Sequence, residues 1–148
     1  MRVIPIPCLS DNYAYLILDE ATGDAAVVDA SEAGPVRAAV EREKARVTAI
    51  LSTHHHFDHV GGNEELAAAW GVPVYGGAQD EGRLPGLTKP LAHGDEVALG
   101  GARARVLHIP GHTLGHIAYA FPGHVFTGDT LFFAGEACSP NFFSTAHG

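Results

Sequence analysis

Cysteine is almost missing from this chain: Cys8 and Cys138 are the only two in 148 residues. Two thiols do not make a disulfide framework, so a reducing, cytoplasmic compartment is expected. Positive charge is scarce as well. Nine Lys and Arg stand against seventeen Asp and Glu, a formal net charge of −8, and the nine are scattered. That balance speaks against a nucleic-acid partner, which selects for a basic face. No apolar run approaches the length of a membrane span, so no membrane partner is expected. Pro5, Pro7 and Asp11 interrupt the opening segment where an export signal would need an apolar core. Internal repeats and low-complexity tracts are lacking. What remains is 46% hydrophobic and 18% charged, the profile of a globular chain. Its length is that of one ordinary domain, enough to bury a core without disulfide or metal staples.

Against these scarcities stand ten histidines, five of them between His54 and His93. Imidazole is a common metal ligand and an acid–base group near neutral pH, so the excess points to metal chemistry. The periodicity says where these residues fall. Val3–Ile6, Tyr13–Leu18 and Ala25–Val28 read as strands of a hairpin or meander. Gly34-Pro35 opens a helix, since proline is tolerated in the first turn; Val36, Ala39, Val40 and Val47 give it a weak apolar stripe. The apolar run Val47–Ser52 reads as a buried strand. After it come the histidines, then Gly61-Gly62-Asn63 and Glu64–Gly71, a helix with Asn63 as N-cap and Gly71 as its stop. Val72–Tyr75 reads as a strand and Gly76–Gly94 as loop-rich. Glu96–Leu99, Arg103–Leu107, Ile117–Phe121 and Val125–Phe126 read as further strands. The chain alternates β and α early and is mostly β later. No element is expected over 134–148.

His54, His56, Asp58 and His59 form an H-x-H-x-D-H array on a strand-to-helix loop, where ligands two apart can converge on one ion and the next pair can serve a second. Imidazole and carboxylate suit zinc, iron or manganese. Two ions roughly 3.5–4 Å apart can hold a hydroxide and polarise a carbonyl. A His-rich surface loop or a tag is the bland alternative, but a tag sits at a terminus and would lack Asp58. His112 in Pro-Gly-His-Thr and Asp129 in Gly-Asp-Thr are weaker taken singly, since turn residues of these types are common. They gain weight because both follow strands, as the first cluster does.

The segments Thr53-His54-His55-His56-Phe57-Asp58-His59, Gly61-Gly62-Asn63, Pro110–His116 and Phe126-Thr127-Gly128-Asp129-Thr130-Leu131-Phe132 resemble the metallo-β-lactamase superfamily. The triple histidine, Gly-Gly-Asn and Gly-Asp-Thr-Leu-Phe, with Pro7–Tyr13 and Val74–Gly77, resemble its glyoxalase II branch, the hydroxyacylglutathione hydrolases, over residues 1 to about 135. The resemblance implies an α+β fold, an αββα sandwich with the site at one edge of its two sheets. It implies a first metal held by His54, His56 and His112, a second held by Asp58 and His59, and Asp129 bridging them. The implied cofactor is zinc, two ions per chain, with iron or manganese possible. The implied reaction is hydrolysis of an acyl-glutathione thioester, S-D-lactoylglutathione to glutathione and D-lactate, by a metal-bound hydroxide that Asp58 helps to orient. His55 is given no ligand role, and His116 is expected to pack or hydrogen-bond behind the ligands.

The pattern breaks after Phe132. The family continues with Cys-Gly-Arg/Lys and an aromatic, then a Cys-Gly-His-Glu-like segment carrying the third ligand of the second metal, then a helical domain that grips glutathione. This chain has Ala134–Asn141 in their place and stops at Gly148; His147, the one downstream histidine, lies in an unmatched context. The expectation is a metal-binding domain over 1–135 with a divergent tail over 136–148, C-terminally incomplete, whose second metal site lacks a ligand. A sheet edge left uncovered would suit a homo-oligomer. Besides the hydrolase, the alternatives are a metal-binding but catalytically incompetent fragment and another enzyme of the fold, such as a persulfide dioxygenase.

Overall fold

The computed structural model describes residues 1–10, 12–110 and 113–128. Strands β1 (Arg2–Cys8), β2 (Asn12–Leu18) and β3 (Asp24–Val28) form the antiparallel meander, with Gly23 at φ +80° supplying the left-handed turn before β3. Helix α1 (Ala33–Glu43) then returns the chain to β4 (Arg46–Leu51), which lies parallel to β3. One helical turn, α2 (Phe57–Val60), and helix α3 (Asn63–Trp70) lead to β5 (Val74–Gly77), and a 3₁₀ turn at Ala78–Asp80 precedes β6 (Lys89–Leu91). These six strands form one sheet in sequence order, with β3 to β6 parallel. A second, antiparallel sheet holds β7 (Glu96–Leu99), β8 (Ala102–His108), β9 (Ile117–Phe121) and β10 (His124–Phe126), ordered β10-β9-β8-β7.

The central strands of the first sheet are buried on both faces, so they read as unbroken apolar runs. Leu16, Ala25, Val27 and Ile50 face α1 and α3, meeting Val36, Ala39, Val40 and Leu66. Their strand neighbours Ile17, Ala26, Val28, Ala49 and Leu51 face the second sheet, meeting Val97, Val106, Ile117, Tyr119 and Phe121. Each fully buried aliphatic side chain contributes about 1.5–3 kcal/mol. The described residues thus supply helix, sheet and sheet of the expected sandwich. Among them, no helix is long and apolar enough to cross a membrane. The boundary expected near residue 135 and the 136–148 tail lie outside the described residues.

Three expectations need correction, and the loop-rich stretch 76–94 holds short elements of its own. Val47 is not part of the α1 stripe: the helix ends at Lys44, which turns left-handed at φ 53°, and Val47 belongs to β4. Asn63 does not cap α3. Gly62 occupies the cap position without a side-chain cap, and Asn63 is the first helical residue, fully buried, donating to Ser52 Oγ at 3.0 Å. The histidine loop is partly helical, because the His59 N–H closes onto the His56 carbonyl at 2.9 Å. The stretch 76–94 contains β6 and a 3₁₀ turn. A three-residue strand holding Pro90 gives little periodic signal, and proline is accommodated at a sheet edge.

Candidate metal centre

Parallel strands end on the same edge of a sheet, and that edge is where the chemistry-bearing residues gather. Asp29 follows β3, Thr53 to His59 follow β4, and Asp80 follows β5. Asn12 begins β2, which runs antiparallel to β3 and so starts at this edge. The second sheet is tied to the same place: the Ile117 N–H donates to the Thr53 carbonyl at 2.9 Å, and the Tyr119 hydroxyl donates to the Ser52 carbonyl at 2.7 Å. Burial pushes the Tyr119 phenol well above its ordinary pKa, with the nearby Asp29 charge adding to it, so this hydroxyl remains a donor.

His54, His56, Asp58 and His59 lie together in the turn after β4. The ring centroid of His54 is 4.9 Å from that of His56 and 4.3 Å from that of His59. His59 Nε2 lies 3.7 Å from Asp58 Oδ2. His54 is fully buried and His59 nearly so, whereas the Asp58 side chain is half exposed. His112 and Asp129 lie outside the described residues. Gly128, which precedes Asp129 in the chain, packs against Thr53 and His116, so closely that a Cβ there would fall 2.8 Å from Thr53 Oγ1.

Asp29, not singled out from the sequence, organises the centre. Its Oδ1 accepts the Thr53 N–H at 2.8 Å; its Oδ2 accepts the Thr53 hydroxyl at 2.8 Å and faces His59 Nδ1 at 3.1 Å. Asp29 sits at φ +52°, a left-handed conformation that Asp tolerates better than most residues. Such strain is retained where surrounding contacts over-determine it. The protons follow from this network. An ionised carboxylate only accepts, so His59 donates from Nδ1 and presents the lone pair of Nε2. The Thr53 hydroxyl spends its one proton on Asp29, so at 2.9 Å it accepts from His54 Nδ1, and His54 also presents Nε2. Carboxylate-held imidazoles of this kind are what a metal centre requires behind its ligands.

Ligand-type atoms of Asp29, His54 and His59 all fall within 4.8 Å of one another. The carboxylate of Asp29 is engaged on both oxygens, so we read it as the group that orients the ligands. The donor set therefore fits a metal ion: two buried imidazoles in the ligating tautomer, a third imidazole beside them, and an accessible carboxylate.

The other neighbours fall around this core. Asn12 Nδ2 donates to the Asp58 carbonyl at 2.7 Å and to Asp58 Oδ2 at 3.1 Å. His116 stacks on His54, centroids 4.6 Å apart, and donates from Nε2 to the Thr127 carbonyl at 3.0 Å. His55 turns toward Asp80. His108 donates from Nε2 to the Leu114 carbonyl at 2.7 Å and from its backbone N–H to His93 Nδ1 at 3.0 Å. Asp29, Asn12 and Asp80 were missed because a lone acid or amide after a short strand looks like a turn residue. The available signal was position: Asp29 follows the apolar run Ala25–Val28 just as the histidines follow β4.

Comparison with known proteins agrees with this geometry. A family model described as "Metallo-beta-lactamase superfamily" matches residues 10–145. A hydroxyacylglutathione hydrolase of Cereibacter sphaeroides is 50% identical over 148 residues, covering 99% of this chain and 57% of the relative; another, from Rhodospirillum rubrum, is 55% identical over 132 residues, covering 88% and 52%. The chain thus spans little more than half the length of these relatives. Among solved structures, ETHE1 from Myxococcus xanthus superposes with a TM-score of 0.73 at 30% identity, covering 86% of this chain and 56% of that one.

Proposed function

Because the chain belongs to the metallo-β-lactamase superfamily, we propose that it is a metal-dependent hydrolase of the hydroxyacylglutathione type, acting on acyl-glutathione thioesters such as S-D-lactoylglutathione. Two supports carry the reading: relatives at about half identity bear that name, and the Thr53–Asp29 network sets His54 and His59 in the ligating tautomer.

In this reading His54, His56, His112, Asp58, His59 and Asp129 are the residues that would hold the metal. Zinc bound there supplies an acidified water and a positive charge beside the substrate carbonyl. The chain's own residues do the rest. Asp29 and Thr53 fix the two buried rings, so the ligand set does not have to reorganise on binding. Asn12 holds both the backbone and one carboxylate oxygen of Asp58. The Asp58 carboxylate, half exposed at the edge of the site, accepts a hydrogen bond from the attacking water and orients it toward the thioester carbon. Water adds to that carbon, the C–S bond breaks, and the sulfur leaves as the thiolate of glutathione. The products are that thiol and the free hydroxy acid.

Metal analysis of purified protein, paired with an acyl-glutathione hydrolysis assay, tests this. The expected result is bound metal and turnover that disappears with chelator, returns with zinc, and falls about 10²-fold or more in Asp58→Ala, as for loss of an acid–base group. Bound metal without turnover would overturn the hydrolase reading while keeping the metal site.

A further inference from the structure

Asp80 is fully buried, yet its side chain makes a single hydrogen bond among the described residues, Oδ1 to His55 Nδ1 at 3.2 Å. Its other oxygen, Oδ2, is buried with no hydrogen-bond partner. Withdrawing a carboxylate from water is expensive, and one partly exposed partner is poor compensation if stability is the only return. The surroundings show what the carboxylate does hold. Its own backbone is fixed: the Asp80 carbonyl accepts the N–H groups of Arg83 at 2.9 Å and Leu84 at 3.0 Å, through a turn in which Gly82 takes φ +83°, and Leu84 is buried in the core. On one side the carboxylate meets His55, the residue between His54 and His56. On the other it lies against Gly115, where a Cβ would overlap the carboxylate outright. Gly77, three residues before Asp80, is pressed in the same way against the Gly115 backbone. Asp80 is therefore wedged between the 53–59 turn and the 113–116 segment, both of which lead into proposed ligands.

We propose that Asp80 is a positioning residue of the metal centre: it clamps the His55 ring, and through it sets the spacing of His54 and His56, while its contact with Gly115 keeps the 113–116 segment in register. This rests on the reading of the 53–59 turn as metal-binding, but the clamp itself is a property of the metal-free chain. The carboxylate accepts, so His55 donates from Nδ1. Asparagine is nearly isosteric and its amide oxygen can accept the same bond; alanine cannot. Supporting groups behind metal ligands typically change affinity 10–100-fold when removed.

The test compares Asp80→Asn and Asp80→Ala with the wild type in two readouts. In metal-free protein, nitrogen NMR of the histidine rings, with His55 assigned through His55→Gln, should report a fixed Nδ1–H tautomer in wild type and Asp80→Asn, and an averaged one in Asp80→Ala. In chelator competition, Asp80→Ala should lose zinc affinity about 10-fold or more while Asp80→Asn stays within about threefold of wild type. Gly115→Ala, which pushes the carboxylate aside without removing it, should reproduce the Asp80→Ala signature. An unchanged His55 tautomer in Asp80→Ala, or equal losses in both Asp80 variants, would overturn the clamp. A wild type that takes up no zinc would instead remove the metal reading, and the ring signals would still decide the clamp.

Discussion

At the scale of single residues, the candidate centre depends most on Asp29, which sets the tautomers of His54 and His59 and meets a strained backbone requirement at once. Asp29→Ala would strand the buried Thr53 N–H and release both rings. The expected outcome is a loss of about 2–3 kcal/mol in urea-unfolding stability, from unpaired buried polar groups, and a 10–100-fold loss of zinc affinity in chelator competition. Tyr119→Phe removes one fully buried hydroxyl, which reaches the Ser52 carbonyl at 2.7 Å and the Tyr75 carbonyl at 3.4 Å. It should cost about 0.5–1.5 kcal/mol, read by the same unfolding experiment, with zinc affinity little changed.

At the scale of elements, the close approach between the segment after β3 and the turn before α3 explains Gly61-Gly62. A Cβ on Gly61 would stand 2.6 Å from the Ser31 carbonyl oxygen, and one on Gly62 would stand 2.9 Å from the Ala33 nitrogen. The Gly62 N–H also donates to the Ala30 carbonyl at 2.8 Å. Gly61→Ala should therefore destabilise by about 1–3 kcal/mol through overpacking, visible as a lower denaturant midpoint. Strand placement was largely legible from the apolar runs of β2 to β5, and α1 from its weak stripe together with Gly34-Pro35 at its start. The short elements were not: β6 has three residues and a proline, and α2 is a single turn closed by one backbone bond. Asn63 looked like a cap because its residue type favours that position, but the packing of Gly62 on Ala30 moved the cap back one residue and turned the amide inward.

At the scale of the whole molecule, the two sheets are joined at their far end by Asp19, whose Oδ2 accepts the Gly101 N–H at 2.8 Å across 82 residues of sequence. That bond, and then the Ala21 N–H, hold the Asp19 carboxyl below its ordinary range. The unfolded chain takes up this proton first, so the contribution is complete above the ordinary carboxylate range. It is lost as pH falls from there through the folded value. Asp19→Asn should accordingly flatten the acid limb of stability against pH, measured as urea midpoints from pH 6 downward, while leaving metal binding unchanged. The sequence by itself determined the order of the long elements and the four ligand-type residues His54, His56, Asp58 and His59, because local periodicity and residue spacing are properties of contiguous chain; the two-sheet class came from the family resemblance. Only the tertiary structure decided which groups stand behind them. Asp29, Asn12 and Asp80 are separated by 25 to 46 residues from the His59, Asp58 and His55 partners they bond. They meet them only because strand ends of one sheet share an edge.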